Sequence, residues 1–156
     1  MMERTFVMMK PDCLQRGLVG EVFSRLERKN LKLVAAKMLT LDERLIEEHY
    51  AHLKDKPFFP RIRKFMTSAP LVATVWEGMD AVRVVRDLTG VTKARDAVPG
   101  TIRGDLAMSI QCNIIHASDS PETAAKEIAR FFKKNELFEW KPVLLENQYS
   151  SEELGG

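Results

Sequence analysis

Short apolar runs alternate along the chain with segments in which apolar residues recur at helical spacing. Residues 4–9, Arg-Thr-Phe-Val-Met-Met, predict a buried strand that ends at Lys10-Pro11-Asp12, because proline cannot donate a hydrogen bond to a sheet. Three further runs are short and rich in apolar or β-branched residues, which predicts strands. They cover residues 31–39, 70–76 and 113–116.

Amphipathic segments lie between these runs. The spacing predicts helices over residues 18–29, 40–53, 60–66, 80–88 and 120–133. Thr40 and Glu43 match a capping box, and Asp80 is expected to cap the fourth helix. Ser120 as cap and Pro121 at the first helical position begin the last helix.

The order of these elements predicts the fold class. Strand, helix, strand, helices, strand, helix, strand, helix is typical of an α+β ferredoxin-like sandwich, a four-stranded antiparallel sheet with helices on one face. Neither a repeat nor linker-like composition divides residues 1–156, so we expect one domain. No segment approaches the 18 or so apolar residues that span a bilayer, so no membrane association is expected.

Residues 89–113 show neither helical nor strand periodicity. A loop of that length inside a compact domain is usually functional or disordered. This one carries Thr92, Arg95 and Arg103 together with glycines, which favours a functional loop.

Composition narrows the classes of function. Lys and Arg number 24 against 22 Asp and Glu, a formal charge of +2, so nucleic acid is not an expected partner and any anion site must be local. The two cysteines, Cys13 and Cys112, do not have zinc-site spacing and are expected to be free thiols in a reducing cytoplasm.

Three histidines occur in different contexts. His49 shares the apolar stripe of a predicted helix, which favours a hydrogen-bonded residue at the edge of the core, and His52 is expected to be exposed. His116 lies between a strand end and a helix start, where backbone N–H groups favour an anion. Local pattern equally allows a loop histidine bonded to Ser118 or Asp119.

Glu127 lies two helical turns after the cap of the last helix and faces the packed side. A carboxylate that points inward needs a partner. The partner is either His116, whose ring it would then orient, or a lysine or arginine.

Five co-linear segments extend this picture. They are ERTFVMMKPD at 3–12, QRGLVGEV at 15–22, HYAHLKDKPFF at 49–59, PGTIRGD at 99–105 and NIIHASDS at 113–120. Together they resemble the sequence blocks of nucleoside diphosphate kinases, in family order, from Glu3 to about Trp140. The tail at 141–156 matches poorly.

The resemblance implies a ping-pong transfer of the γ-phosphate of a nucleoside triphosphate, typically ATP, to a nucleoside diphosphate. His116 would carry the phosphoryl group, attacking through its δ nitrogen. Ser118 and Glu127 would orient its ring, and Tyr50 would lie beside it. Lys10 matches a family position that stabilises the phosphoryl charge.

Other positions match nucleotide contacts of the family. Arg86 and Arg103 would join Lys10 at the phosphates, Thr92 would contact a phosphate, and Asn113 together with Lys10 would contact the sugar hydroxyls. Phe58 resembles the residue that stacks on the base, a contact that accepts many bases. The alternative for Phe58 is core packing beside Phe59.

The family pattern also implies Mg²⁺ held chiefly by the nucleotide phosphates, with no metal site built from protein ligands. It further implies a homo-oligomer, for which we expect a hexamer rather than the tetramer that the family also contains.

One departure from the pattern is Cys13, which replaces the usual glycine. If that turn needs positive φ, Cys13 is strained by about 1 kcal/mol and displaces Lys10.

Two classes of protein other than a kinase remain as alternative interpretations of the sequence. One is a catalytically silent ferredoxin-like module that binds nucleotides or regulates, and the other is a nucleic-acid binder that uses the basic residues of the loop.

Overall fold

The computed structural model describes residues 2–155, which form an antiparallel sheet covered by helices. The strands are β1 (Met2–Met9), β2 (Lys32–Leu39), β3 (Leu71–Met79) and β4 (Ile115–Ala117), in the order β2-β3-β1-β4. The α-helices are α1 (Pro11–Gln15), α2 (Val19–Arg28), α3 (Glu43–His49), α4 (Phe59–Met66), α5 (Ala81–Thr89), α6 (Ile102–Leu106) and α7 (Pro121–Phe131). This strand order and pairing confirm the predicted ferredoxin-like sheet.

Both faces of the sheet are buried, so the expectation of helices on one face was wrong. Val7 and Met9 of β1 pack in one apolar cluster with residues of α2 and α5. Phe6 and Met8 point to the opposite face and pack with residues of α3, α4 and α7. Burial on both sides explains why residues 6–9 of β1 form a continuous apolar run rather than an alternating one.

The helix after β2 begins later and ends earlier than predicted. Asp42, not Thr40, is its N-cap, and the Oδ1 atom of Asp42 accepts a hydrogen bond from the N–H of Leu45 at 2.8 Å. The α-helix ends at His49, and a 3-10 turn continues it over Ala51–Leu53. Several polar residues in this stretch are able to cap a helix, so the pattern did not decide between them.

The cap of α5 is supplied from another element. Asp80 occupies the N-cap position with φ of 49° and makes no capping hydrogen bond through its side chain. Instead, the Oε1 atom of Glu3 accepts a hydrogen bond from the N–H of Val82 at 2.9 Å. Ser120 was predicted correctly, because its Oγ accepts a hydrogen bond from the N–H of Thr123 in α7.

The segment expected to be a loop without regular structure contains a 3-10 turn, Ala94–Asp96, and the short helix α6. Gly104 in α6 lies so close to the preceding loop that a Cβ atom there would be 2.1 Å from the carbonyl oxygen of Val98. Only glycine permits this approach. The tight packing fixes the position of Arg103, the residue just before it.

Cys13 does not occupy a strained turn, contrary to expectation. It lies within α1, is fully buried and packs in the same apolar cluster as Val7 and Met9. Among the described residues, the non-glycine positions with positive φ are Asn30, Asp80 and Ile114. The chain after Lys10 therefore continues as a short helix that accepts a side chain at Cys13.

Candidate active site

The position of His116 follows from the register of β4. His116 pairs with Met8 of β1, so its side chain lies on the sheet face that α3, α4 and α7 cover. Its neighbours Ile115 and Ala117 point to the other face, where both are buried. His116 itself keeps 29% of its side chain exposed, which leaves it accessible to a ligand.

Glu127 of α7 holds the ring of His116. The Nε2 atom of His116 lies 2.7 Å from the Oε1 atom of Glu127, and the Oγ of Ser118 donates a hydrogen bond to Oε2 at 2.5 Å. Of the two partners that the sequence allowed for Glu127, the structure selects the histidine. Ser118 lies fully buried beneath the pair.

This contact defines the tautomer of His116. An ionised carboxylate only accepts hydrogen bonds, so Nε2 carries the proton and Nδ1 keeps a lone pair. Burial alone would raise the pKa of Glu127, but the hydrogen bonds from His116 and Ser118 outweigh it and lower that pKa below its ordinary value. Glu127 is therefore ionised at neutral pH, and Nδ1 is the nucleophilic nitrogen of the ring.

His49 belongs to the same site, a placement that the sequence pattern did not indicate. Its ring centroid lies 4.8 Å from that of His116, at an interplanar angle of 83°. Its Nδ1 lies 3.3 Å from an Nη of Arg130, a group that only donates, so Nδ1 is the unprotonated nitrogen. Burial is the largest cause that lowers the pKa of His49, to about 3. His49 is thus a neutral ring packed against His116.

Tyr50 reaches the site through His49. The two rings meet edge to face with centroids 4.7 Å apart. Burial raises the pKa of the Tyr50 phenol, so it stays protonated at neutral pH. Tyr50 therefore lines the same cleft as His116, and its ring contacts His49.

A γ-turn of the rare kind with positive φ precedes β4. Ile114 has φ of 73°, and the N–H of Ile115 donates to the carbonyl oxygen of Asn113 at 2.8 Å. Such a conformation strains a β-branched residue. This turn occupies the first half of the predicted strand 113–116, which is why β4 begins only at Ile115.

Lys10 and Asn113 meet at the base of the cleft. The Nζ of Lys10 donates to Asn113 Oδ1 and to the carbonyl oxygen of Gln111, each at 2.6 Å. The amide of Asn113 donates in turn to the carbonyl oxygen of Thr92 at 2.9 Å. Burial lowers the pKa of Lys10 to about 8, although the neighbouring charge of Asp12 opposes this shift.

Arg103 is held by backbone carbonyl groups. Its guanidinium donates to the carbonyl oxygens of Gly90, Asn113 and Ile115 at 3.0, 3.3 and 2.6 Å. Burial and the nearby charge of Arg86 lower the pKa of Arg103 to about 10, which still leaves it a cation at neutral pH. The loop thus delivers a fixed positive charge to the cleft.

A cleft of about 780 Å³ joins these residues. Arg86, Thr92 and Phe58 line it, so it contacts every site residue predicted from sequence except Ser118, which supports the site from beneath. Phe58 is 37% exposed whereas Phe59 is buried in the core, so the structure assigns core packing to Phe59 and leaves Phe58 at the mouth of the cleft.

Comparison with known proteins decides the family. A sequence model of nucleoside diphosphate kinase matches residues 3–137. The chain belongs to the nucleoside diphosphate kinase family. It is therefore an enzyme of the phosphotransferase class, as the resemblance of its sequence blocks predicted.

Relatives and solved structures agree over nearly the whole chain. A nucleoside diphosphate kinase from Parabacteroides distasonis is 52% identical over 97% of this chain and 99% of its own length. One from Archaeoglobus fulgidus is 54% identical over 90% of this chain and 93% of its own. The structure of a halophilic nucleoside diphosphate kinase from Halobacterium salinarum in complex with CDP superimposes with a TM-score of 0.92 at 50% identity, over 94% of this chain and 98% of that one.

Asp12 is a further residue of this kinase that sequence reasoning left without a role. Its Oδ2 accepts a hydrogen bond from the N–H of Ile114 at 2.9 Å, at the centre of the strained turn. The signal in the sequence was an acidic residue directly after a buried strand and Lys10. Its partner lies about a hundred residues further along the chain, a distance across which pattern alone makes no connection.

Proposed function

We propose that this nucleoside diphosphate kinase moves the γ-phosphate of a nucleoside triphosphate to a nucleoside diphosphate through His116. The observation that carries the proposal is the contact between His116 Nε2 and Glu127 Oε1 at 2.7 Å, which leaves the lone pair on Nδ1. That lone pair forms the N–P bond while the bond from phosphorus to the bridging oxygen breaks, and the diphosphate leaves. The carboxylate of Glu127 stabilises the imidazolium that results.

Cations of the cleft take the charge that spreads over the phosphoryl oxygens. We assign this role to Lys10, Arg86 and Arg103, because phosphoryl transfer is accelerated chiefly by positioning and by fixed positive charge. The three carbonyl hydrogen bonds of Arg103 support the assignment, since they prevent the guanidinium from reorganising during the reaction.

Nucleotide binding is assigned to the mouth and floor of the cleft. Phe58 stacks on the base, Thr92 contacts a phosphate, and Asn113 with Lys10 contacts the sugar hydroxyls. A stacking contact does not read the hydrogen-bonding pattern of a base, which supports broad acceptance of purine and pyrimidine nucleotides. The partial exposure of Phe58 supports this role for its ring.

In this proposal the nucleotide phosphates, rather than protein side chains, would hold Mg²⁺. The described carboxylates that line the cleft are Glu48, Asp119 and Glu127, and Glu127 is already engaged by His116 and Ser118. These groups do not make the set of oxygen ligands that a protein cage for Mg²⁺ needs. Bound to the nucleotide phosphates, Mg²⁺ neutralises part of their charge.

We also propose that the enzyme is a homo-oligomer, a hexamer rather than a tetramer, in the cytoplasm. Large apolar side chains of the loop remain exposed in the single chain, among them Val98, Met108 and Ile110 at 69%, 71% and 61%. Such a patch is typical of a subunit interface. Native mass spectrometry measures the number of subunits directly.

Within residues 2–155, no helix is both long enough and apolar enough to cross a membrane.

Initial-rate kinetics test the proposed reaction. When the concentration of ATP is varied at several fixed concentrations of dTDP, a phosphoenzyme mechanism gives parallel double-reciprocal lines. A catalytically silent module gives no transfer at all. Intersecting lines mean that both nucleotides must be bound together, which contradicts the phosphoenzyme.

A further inference from the structure

His49, His116 and Glu127 form a cluster of metal-ligating groups inside the site. Each offers one ligand atom, and the three atoms lie within 4.8 Å of one another. The Oε1 atom of Glu127 is 2.7 Å from Nε2 of His116 and 3.7 Å from Nδ1 of His49. Two imidazoles and a carboxylate are a ligand set that zinc uses in catalytic sites.

The distances suit a tetrahedral ion. Ligand atoms about 2.1 Å from zinc lie roughly 3.4 Å apart in a tetrahedron. Two of the observed separations, 2.7 and 3.7 Å, bracket that value, and all three donors lie within 4.8 Å of one another. Side-chain rotations that draw the two histidine nitrogens together would bring the donors into place. The partial exposure of His116 leaves room for a water from the cleft as the fourth ligand of such an ion.

The protonation states of His49 and Glu127 favour the binding of a metal ion, because both offer an unprotonated ligand atom. Nδ1 of His49 is already unprotonated and accepts a hydrogen bond from Arg130, and Glu127 is ionised. The one N–H proton of the His116 ring must move from Nε2 to Nδ1 when zinc binds. Arg130 opposes the ion, since its guanidinium lies 3.3 Å from the same nitrogen of His49 and must move aside.

We propose that His49, His116 and Glu127 form an inhibitory Zn²⁺ site, and that zinc there switches His116 to the tautomer that cannot accept a phosphoryl group. With zinc on Nε2, the one N–H proton of the neutral ring resides on Nδ1. That nitrogen then has no lone pair for phosphorus. Mg²⁺ does not compete, because it prefers oxygen ligands and octahedral geometry.

The inhibitory consequence rests on the proposed function, whereas the binding itself does not. Zinc is therefore titrated into the full chain without nucleotide, against a chromophoric chelator. We expect one Zn²⁺ per chain, with a dissociation constant that rises by about tenfold or more in His49→Asn and in Glu127→Gln. Arg130→Gln is expected to bind zinc more tightly, because it removes the opposing charge.

Two controls separate this cluster from other donors. Cys112 and His52 are exposed and available to stray zinc, so Cys112→Ser and His52→Asn are expected to leave the dissociation constant unchanged. Loss of binding in either control, or unchanged binding in both His49→Asn and Glu127→Gln, overturns the site. Circular dichroism establishes that each variant is folded.

The tautomer switch has its own readouts. Two-bond ¹H–¹⁵N spectra of the His116 ring are expected to show the proton moving from Nε2 to Nδ1 when zinc is added. In the kinase assay, zinc is expected to lower kcat while KM for the nucleotide stays level. A ring that keeps its Nε2 proton, or a rise in KM alone, contradicts the switch even if zinc binds. An inactive enzyme that still binds zinc shows instead that the proposed function has failed.

Discussion

The carboxylate of Asp12 lies 2.9 Å from the backbone nitrogen of Ile114 and accepts its hydrogen bond at the centre of the γ-turn. Arg103 donates hydrogen bonds to the carbonyl oxygens of Asn113 and Ile115, the residues on either side of Ile114. One buried carboxylate therefore holds the turn that positions the guanidinium and the start of β4. The other oxygen of Asp12 is buried and has no hydrogen-bond partner among the described residues.

This relationship predicts rescue by glycine. Asp12→Ala is expected to lower kcat/KM by about tenfold or more, because the strained turn relaxes and Arg103 shifts. Ile114→Gly removes the strain, since glycine accepts positive φ freely. The double variant Asp12→Ala with Ile114→Gly is therefore expected to regain part of the lost kcat/KM.

Asp12→Asn is the matched control for this experiment. Its amide oxygen still accepts the N–H of Ile114, so it is expected to keep more activity than Asp12→Ala. If the glycine substitution lowers kcat/KM of Asp12→Ala further, Asp12 does not act by holding the turn.

The second prediction concerns Glu127. Glu127→Gln is expected to lower turnover by about tenfold to a hundredfold while labelling of the protein by γ-labelled ATP persists, because the nucleophile remains while its orientation and charge support weaken. Turnover and labelling are measured on the same preparation. Turnover equal to that of the wild type means that the carboxylate has only a structural role.

The third prediction is that kcat/KM depends on pH in the alkaline range because of Lys10. Its pKa in the free enzyme is lowered to about 8, so the ammonium group is present below that pH and lost above it. We expect kcat/KM to fall as pH rises through about 8, approaching tenfold per pH unit above it. Lys10→Arg, which stays charged, is expected to show no bend there. A wild-type profile that stays flat to pH 9 contradicts this role for Lys10.

The fourth prediction concerns Cys13, which was expected from the sequence to be strained but lies within α1. Because it is a buried helical residue, Cys13→Gly is expected to destabilise the fold by about 2 kcal/mol, from lost packing and lost helix propensity. Urea unfolding measures the change, and Cys13→Ala, which keeps the helix propensity, is expected to lose less. A glycine variant as stable as the wild type shows that the thiol packs no useful volume.

Elements governed by local pattern were predictable from the sequence. The second half of β1, residues 6–9, is a continuous apolar run, and Ser120 with Pro121 marks the start of α7, so both elements were located from the sequence. Glu127 was predicted to point inward because helical periodicity fixes its face. In each case the information lies within a few residues of the element.

Features governed by distant contacts were not predictable in this way. Glu3 caps α5 across 79 residues, a contact that leaves no local signal. The strain was assigned to Cys13 because of a departure from the family pattern, whereas it lies at Ile114, where only the tertiary hydrogen bond from Asp12 reveals it. His49 lies on an apolar stripe, and a packed histidine gives the same pattern whether or not it borders the ring of His116.

Labelling with γ-labelled ATP tests the central claim that His116 carries the phosphoryl group. The wild-type protein is expected to take up label that is lost in acid, survives alkali and transfers to an added nucleoside diphosphate, as a phosphohistidine does. His116→Asn is expected to take up none, and His52→Asn, which alters an exposed histidine, is expected to label normally. Label that is stable in acid, or that persists in His116→Asn, contradicts the account.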